Sequence, residues 1–290
     1  MSFLKYENNI LKFEGVAISE IAKGRTTPFY CYSQNTLIDN FNKFANSVAS
    51  FDSTVCFSLK SNSNLTLLKT LEKLGAGADV VSEWEMRKAL KAGISAKNIV
   101  FSGIGKTDKD IQFAINNDCF QINVESIDEL NRINEMAASI GKVQKIGIRI
   151  NPDIKADTHK KISTGSLEDK FGVSIEDTHK IFQNRANYSS LKISSIAFHI
   201  GSNIKELKPF ENTFSLIGDL AKKINSETSI IDTIDVGGGL SPQKRNFTFE
   251  DYAKLIHKYF DLDGIKFIFE PGRLISADAG ILVSKVLYIK

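Results

Sequence analysis

Cysteine is scarce in this chain: Cys31, Cys56 and Cys119 are the only three among 290 residues. They are odd in number, far apart and set in apolar, strand-like surroundings. They read as buried thiols, with neither a disulfide framework nor a zinc motif. The four histidines, His159, His179, His199 and His257, have no paired metal-ligand spacing either. No uninterrupted apolar run approaches the length that crosses a bilayer. Residues 1–9 carry acidic and amide side chains without the long apolar run of a secretory signal. Basic and acidic residues, 37 against 34, are mixed along the chain and leave a net charge of +3. Without a basic block or arginine–aromatic interleaving, no nucleic-acid partner is expected. These absences point to a protein of the reducing cytoplasm that uses neither membrane nor nucleic acid.

What is present is a rhythm. Strand-like apolar runs fall at 54–59, 78–81, 99–101, 120–124, 145–150, 193–198, 233–236 and 266–269. Helical spacing separates them at 64–74, 83–92, 108–116, 126–140, 175–185, 210–224 and 249–260, and a further helix at 35–48, capped by Ser33, precedes the first strand. Ser82-x-x-Glu85 and Ser126-x-x-Glu129 read as capping boxes. Strict alternation of short strands and helices argues for a parallel sheet covered by helices, and eight units select a closed (β/α)8 barrel. An open doubly wound sheet is the alternative. The glycine run Gly237-Gly238-Gly239 lacks the G-x-G-x-x-G spacing and comes only at the seventh strand, which counts against that alternative. Between the fifth and sixth strands lies a polar insertion with Asn151-Pro152-Asp153, His159 to Gly165 and Lys170-Phe171-Gly172, placed where an active-site loop belongs. Residues 281–289 read as a further strand, with only the strands at 10–13 and 28–32 left to pair with it.

Barrel strands converge at their C-terminal ends, so residues far apart in sequence become neighbours there. The strand ends here bring Lys60, Asp79, Ser82, Arg149, His199 to Ser202, Asp235 to Gly239, and Glu270-Pro271-Gly272-Arg273. A half-desolvated lysine amine can have its pKa lowered and attack an aldehyde. Glycines let backbone N–H groups approach a phosphate, and Gly272 and Arg273 add donors beside them. Singly, each residue has an ordinary reading: Lys60 a solvated strand-end lysine, His199 a satisfied core histidine, the glycines a tight turn. Glu270 with Arg273 could be a surface ion pair and Asp79 a helix cap. Together, a lysine, a flat imidazole, a carboxylate and a phosphate cradle suit pyridoxal 5'-phosphate.

Six stretches carry a resemblance to a known family: Thr27 to Tyr32, Phe57 to Asn62, Gly77 to Ser82, Phe101 to Thr107, Phe198 to Ser202, and Glu270 to Arg273. In that order, across nearly all of the chain, they resemble the diaminopimelate decarboxylases. These belong to the fold-type III pyridoxal-phosphate enzymes, the alanine racemase-like barrels that also include ornithine and arginine decarboxylases. The resemblance implies Lys60 as the lysine that bonds the cofactor aldehyde, His199 as the ring-stacking residue and Glu270 as the partner of the pyridine nitrogen. It implies Ser202, Gly238, Gly239, Gly272 and Arg273 around the phosphate, Asp79 among the cofactor-binding residues, and Arg273 also on a substrate carboxylate. The activity it implies is decarboxylation of meso-2,6-diaminopimelate to L-lysine, the last step of lysine biosynthesis, by a homodimer acting on a small amino acid. The implied organisation is N-terminal strands of a β-domain at 1–33, the cofactor-binding barrel at 34–280, and at 281–290 the first strand of a C-terminal β-domain that the chain otherwise lacks.

Two departures stand out. Trp84 occupies a place where the family usually has a small glycine, so it either narrows substrate access or packs a neighbour. The cysteine, acidic residue and tyrosine that the family's β-domain gives to a partner's active site have no counterpart here, which implies impaired turnover. Other readings are a barrel that binds pyridoxal phosphate without catalysis, or a decarboxylase of ornithine or arginine. A metal-dependent or sugar-phosphate barrel is disfavoured by Lys60 and by the missing ligand cluster.

Overall fold

The computed structural model describes residues 3–152 and 171–290. A three-stranded antiparallel sheet opens the chain, formed by β1 (Leu4–Glu7), β2 (Ile10–Phe13) and β3 (Val16–Ala17), and α1 (Ile18–Ala22) follows it. β4 (Phe29–Tyr32) then leads into α2 (Gln34–Ser47), whose first turn is closed by Ser33 accepting from Thr36 N at 2.9 Å. The barrel strands are β5 (Ser53–Ser58), β6 (Gly77–Val80), β7 (Ile99–Phe101), β8 (Gln121–Val124), β9 (Gln144–Ile150), β10 (Leu191–Phe198), β11 (Thr233–Asp235) and β12 (Lys266–Phe269). All pair in parallel and in sequence order, and β12 closes onto β5 with Phe269 opposite Val55.

The intervening helices are α3 (Leu65–Glu72), α4 (Glu83–Ala92), α5 (Asp108–Asn116), α6 (Ile127–Ile140), α7 (Ile175–Gln183), α8 (Lys208–Thr228) and α9 (Phe249–Tyr259). After β12 comes only the four-residue α10 (Arg273–Ser276), and α2 packs between α3 and α9 to fill the eighth place in the ring. The closed barrel expected from the alternation is therefore the one observed. Beyond it, β13 (Gly280–Val283) pairs antiparallel with β4. The further strand expected over 281–289 thus ends at Val283, and the tail from residue 284 carries Val286, Leu287, Tyr288 and Ile289 exposed.

The expected capping boxes at Ser82 and Ser126 form in half. Each serine accepts from the glutamate N–H three residues on, but Glu85 and Glu129 reach back to Val81 N and Glu125 N, one residue before the cap. Reciprocal boxes occur at Thr107–Asp110 and Thr248–Asp251. The shorter aspartate returns only as far as the cap itself.

Period-two alternation divides the strands into two faces. Val55, Phe57, Ala78, Val80, Ile99, Phe101, Ile122, Val124, Ile146 and Ile148 join the helices in one continuous apolar layer outside the barrel. Phe57 is fully buried there, and truncating it to alanine would cost about 3–5 kcal/mol. Inside, Cys56, Val100 and Ile268 form a small apolar floor. Above it the interior is polar. Gln121 Nε2 donates to Asn123 Oδ1 at 2.8 Å, and Asn123 Nδ2 donates to Asp235 Oδ2 at 2.8 Å and Ser102 Oγ at 3.0 Å. Gly147 makes room for these amides, since an added Cβ would stand 2.5 Å from Gln121 Nε2. The barrel thus carries a polar layer directly beneath its mouth.

Candidate active site

Lys60 does not sit on the end of its strand. β5 stops at Ser58, and Leu59–Ser61 form a 3-10 turn that carries the lysine over the barrel mouth. Its Nζ donates to Asp79 Oδ2 at 2.9 Å, and Ser58 Oγ donates to the same oxygen at 2.5 Å. Asp79 is fully buried, and its Oδ1 has no hydrogen-bond partner among the described residues. Burial alone would pull the Lys60 amine down. The charge of Asp79, then that of Glu270, and the hydrogen bond to Asp79 outweigh burial and hold the ammonium above its ordinary value. The expectation of a lowered lysine is thereby reversed: a buried counter-ion lies beneath it. Burial likewise opposes ionisation of Asp79, but Lys60 and Ser58 keep it ionised below its usual range.

A cavity of about 370 Å³ opens above this pair, in the size range of small-molecule sites. Lys60, His199, Ser202, Gly238, Gly239, Glu270, Gly272 and Arg273 all line it, so eight of the nine expected site residues share one cleft. The ninth, Asp79, lies beneath Lys60. His199 follows β10, and its Nδ1 accepts from Gly238 N at 3.3 Å, which places the ring proton on Nε2. Burial, then the Arg149 and Lys60 charges, push the imidazole down to about 3, so it is neutral at physiological pH.

The glycine run shapes one wall of the cavity. Gly239 has φ +101°, and a Cβ there would lie 2.5 Å from Gly201 O, while one on Gly238 would overlap Glu270 O. Side chains are thus excluded from the stretch that faces Arg273, whose Nη2 donates to Ser202 Oγ. Among the described residues lining the cleft, Lys60 is the only lysine.

Several residues at the site were given no role from the sequence, although Arg149 and Asp235 were placed at strand ends. Ser102 Oγ donates to Glu270 Oε1 at 3.2 Å, and Asp235 lies beside Glu270 under the same cleft. Arg149 donates to Glu125 Oε1 at 2.7 Å, and Glu125 Oε2 accepts from Gly172 N at 3.0 Å, tying residues 171–172 to the mouth. Phe44, Ser61 and Tyr252 complete the cavity wall. Polar residues at inward positions of strands were the available signal for Ser102 and Asp235. Trp84 is absent from the cleft lining; it is 73% exposed, with Arg87 5.7 Å from its ring and 4.2 Å from that of Phe113. The remainder of the expected loop, from Asp153 through His159, Ser163, Thr164 and Gly165 to Lys170, lies outside the described residues.

The residues present fit pyridoxal phosphate. The glycine wall lines the cavity with backbone packed too closely on Glu270 O and Gly201 O to carry side chains, a lone lysine lines the same cavity, and a buried carboxylate with an unused oxygen lies behind that lysine. Residues 34–277 match the family described as pyridoxal-dependent decarboxylase, pyridoxal binding domain. The chain belongs to the pyridoxal-dependent decarboxylases. Within this family it is 37% identical to the diaminopimelate decarboxylase of Haemophilus influenzae over 294 residues, covering all of this chain and 71% of that protein. The Aquifex aeolicus diaminopimelate decarboxylase is 36% identical over 292 residues, covering 99% and 69% of the two chains. Among solved structures, diaminopimelate decarboxylase from Helicobacter pylori complexed with L-lysine superposes with a TM-score of 0.91 at 37% identity, covering 94% of this chain and 70% of that one. The chain is thus a pyridoxal-phosphate enzyme of the diaminopimelate decarboxylase family.

Proposed function

We propose that this chain decarboxylates meso-2,6-diaminopimelate to L-lysine, using pyridoxal phosphate held in the cleft above β5–β12. The observation that carries the reading is the convergence of Lys60, His199, Glu270, Arg273 and the glycine wall on one 370 Å³ cavity. Family membership supports it. When bound, the cofactor supplies a carbonyl that captures the substrate amine and a ring that takes up the electron pair left when carbon dioxide departs.

The protein's own residues do the rest. Lys60 is the attachment point for the cofactor, and Asp79 stabilises its ammonium whenever it is unattached. His199, neutral and fixed by Gly238 N, would offer the ring a flat, uncharged surface. Gly238, Gly239 and Gly272 would bring backbone close to the phosphate, and Ser202 and Arg273 would supply donors there. Arg273 also reaches toward a substrate carboxylate, a task suited to its planar fork of N–H groups. Glu270 would hold the proton at the ring nitrogen.

The working form we propose is a cytoplasmic homodimer. Support comes from the rim of the mouth, where Trp84, Ile104 and Ile127, following three consecutive strands, are exposed apolar side chains. No described helix is long and apolar enough to cross a membrane. We further assign residues 1–33 and 281–290 to a β-domain and residues 34–280 to the cofactor barrel, a division supported by the β4–β13 pairing outside the barrel.

The test is carbon-dioxide release by the 290-residue chain supplied with pyridoxal phosphate and, in parallel, meso-diaminopimelate, L-ornithine or L-arginine. Release from diaminopimelate with L-lysine as product supports the reading. Preference for ornithine or arginine would move the substrate to another branch, and cofactor binding without release from any of them would leave a barrel that binds without catalysis.

A further inference from the structure

Asp235 ends β11 and Glu270 directly follows the adjacent β12, both at the base of the cleft. Backbone bonds lock this register: Glu270 N donates to Gly237 O at 2.8 Å, and Val236 N donates to Ile268 O at 2.9 Å. Asp235 is buried. The two carboxyl groups are within hydrogen-bonding reach of each other. An ionised carboxylate only accepts hydrogen bonds, so two in contact in a dry interior require a proton between them.

The surrounding donors decide which oxygen carries that proton. Asp235 receives two N–H donors, Asn123 Nδ2 on Oδ2 at 2.8 Å and Gly237 N on Oδ1 at 3.0 Å. Glu270 receives one hydroxyl, Ser102 Oγ, at a longer 3.2 Å. Charge therefore settles on Asp235 and the proton on Glu270.

We propose that Asp235 is a positioning residue: it shares one proton with Glu270 and keeps Glu270 an acid until a ring nitrogen arrives above it. The Glu270 O–H bond then breaks as an N–H bond forms, and the negative charge left on Glu270 faces the new N–H cation. Asn123 and Ser102 hold both carboxyl groups in place. This rests on the cofactor reading above, but the pair itself is present without the cofactor.

The electrostatics agree with the donor pattern. Burial, then the charges of Asp235 and Asp79, push Glu270 well above the usual carboxyl range. Burial raises Asp235 to about 6, its Asn123 and Gly237 bonds limiting the rise. Among the described residues, the other charged or titratable groups around the pair are Lys60, Asp79, Arg149, His199 and Arg273 at the mouth, Tyr252 to one side, and Cys56 and Lys266 below.

Infrared titration of the cofactor-free chain tests the pair, through the carbonyl band of a buried, protonated carboxylic acid. The band is expected at pH 7 and should vanish in Glu270→Gln. In Asp235→Asn its midpoint should fall by about one pH unit or more, the usual effect of removing a neighbouring like charge. If Asp235→Asn does not fold, Glu270→Gln gives a second reading: because Glu270 is uncharged and bonds Asp235 while Asp235 titrates, the Asp235 midpoint should not fall below about 6. No band in the wild type at pH 7, an undiminished band at pH 7 in Glu270→Gln, an unchanged midpoint in Asp235→Asn, or a fall of the Asp235 midpoint in Glu270→Gln would overturn the proposal. Appearance of a visible absorbance band on adding pyridoxal phosphate tests the cofactor reading separately.

Discussion

Lys60 Nζ and Asp79 Oδ2 lie 2.9 Å apart, a half-exposed ammonium over a carboxylate with no exposed surface. Asp79 has a lowered folded value, so its contribution is present above the ordinary carboxylate value and lost as pH falls through the lowered one. Lys60 has a raised value, so its contribution is present below the ordinary lysine value and lost as pH rises through the raised one. The pair is therefore intact between about pH 4 and about pH 10. Asp79→Asn removes the nearest counter-ion and leaves burial opposed by Glu270 alone. The pH midpoint for covalent modification of Lys60, followed by mass spectrometry, should fall by about one unit or more. An unchanged midpoint would mean that Asp79 does not set the lysine's state.

His199 gives a second pH signature. Its folded value of about 3 lies below the ordinary 6.5, so between these the unfolded chain binds the extra proton and stability falls as pH falls. Full expression of that shift gives a slope of about 1.4 kcal/mol per pH unit. Denaturant unfolding at pH 4 and pH 6.5 should show a smaller acid loss in His199→Asn than in the wild type. Equal losses would show that the imidazole is not held neutral.

The architecture was legible because outward strand residues such as Phe57, Val80 and Ile122 are apolar while the helices between them repeat at helical spacing. The cleft was legible where chemistry is dense, at Lys60, His199 to Ser202, Gly237 to Gly239 and Glu270 to Arg273. The polar layer beneath it was harder to read. Ser102, Asn123 and Asp235 are single inward positions, and their meaning appears only when closure sets Asn123 across from Asp235. The ion pair beneath Lys60 was hidden for a related reason. A strand-end lysine read alone suggests desolvation, and only the β5–β6 pairing, with Ser58 opposite Asp79, supplies the opposing charge.

Gly239→Ala tests the glycine wall. At φ +101° an L side chain is strained, and its Cβ would stand 2.5 Å from Gly201 O. Affinity for pyridoxal phosphate, titrated by visible absorbance, should weaken by about tenfold or more, since 1.4 kcal/mol of lost interaction suffices for that. Unaltered affinity would separate the glycine run from the phosphate.

Glu270→Gln keeps the shape of the side chain and removes its acidity. Turnover should fall by roughly a hundredfold or more, with a smaller effect on KM, as is typical when one electrostatic partner of the reacting group is lost. Turnover within a few-fold of wild type would contradict its role at the ring nitrogen.

The most direct test locates the cofactor itself. The chain is loaded with pyridoxal phosphate, reduced with borohydride, digested and mapped by mass spectrometry, beside Lys60→Ala treated identically. The cofactor's mass should reside on the peptide containing Lys60 and be absent from the folded Lys60→Ala protein. A cofactor fixed to any other lysine, or retained equally by Lys60→Ala, would contradict the account.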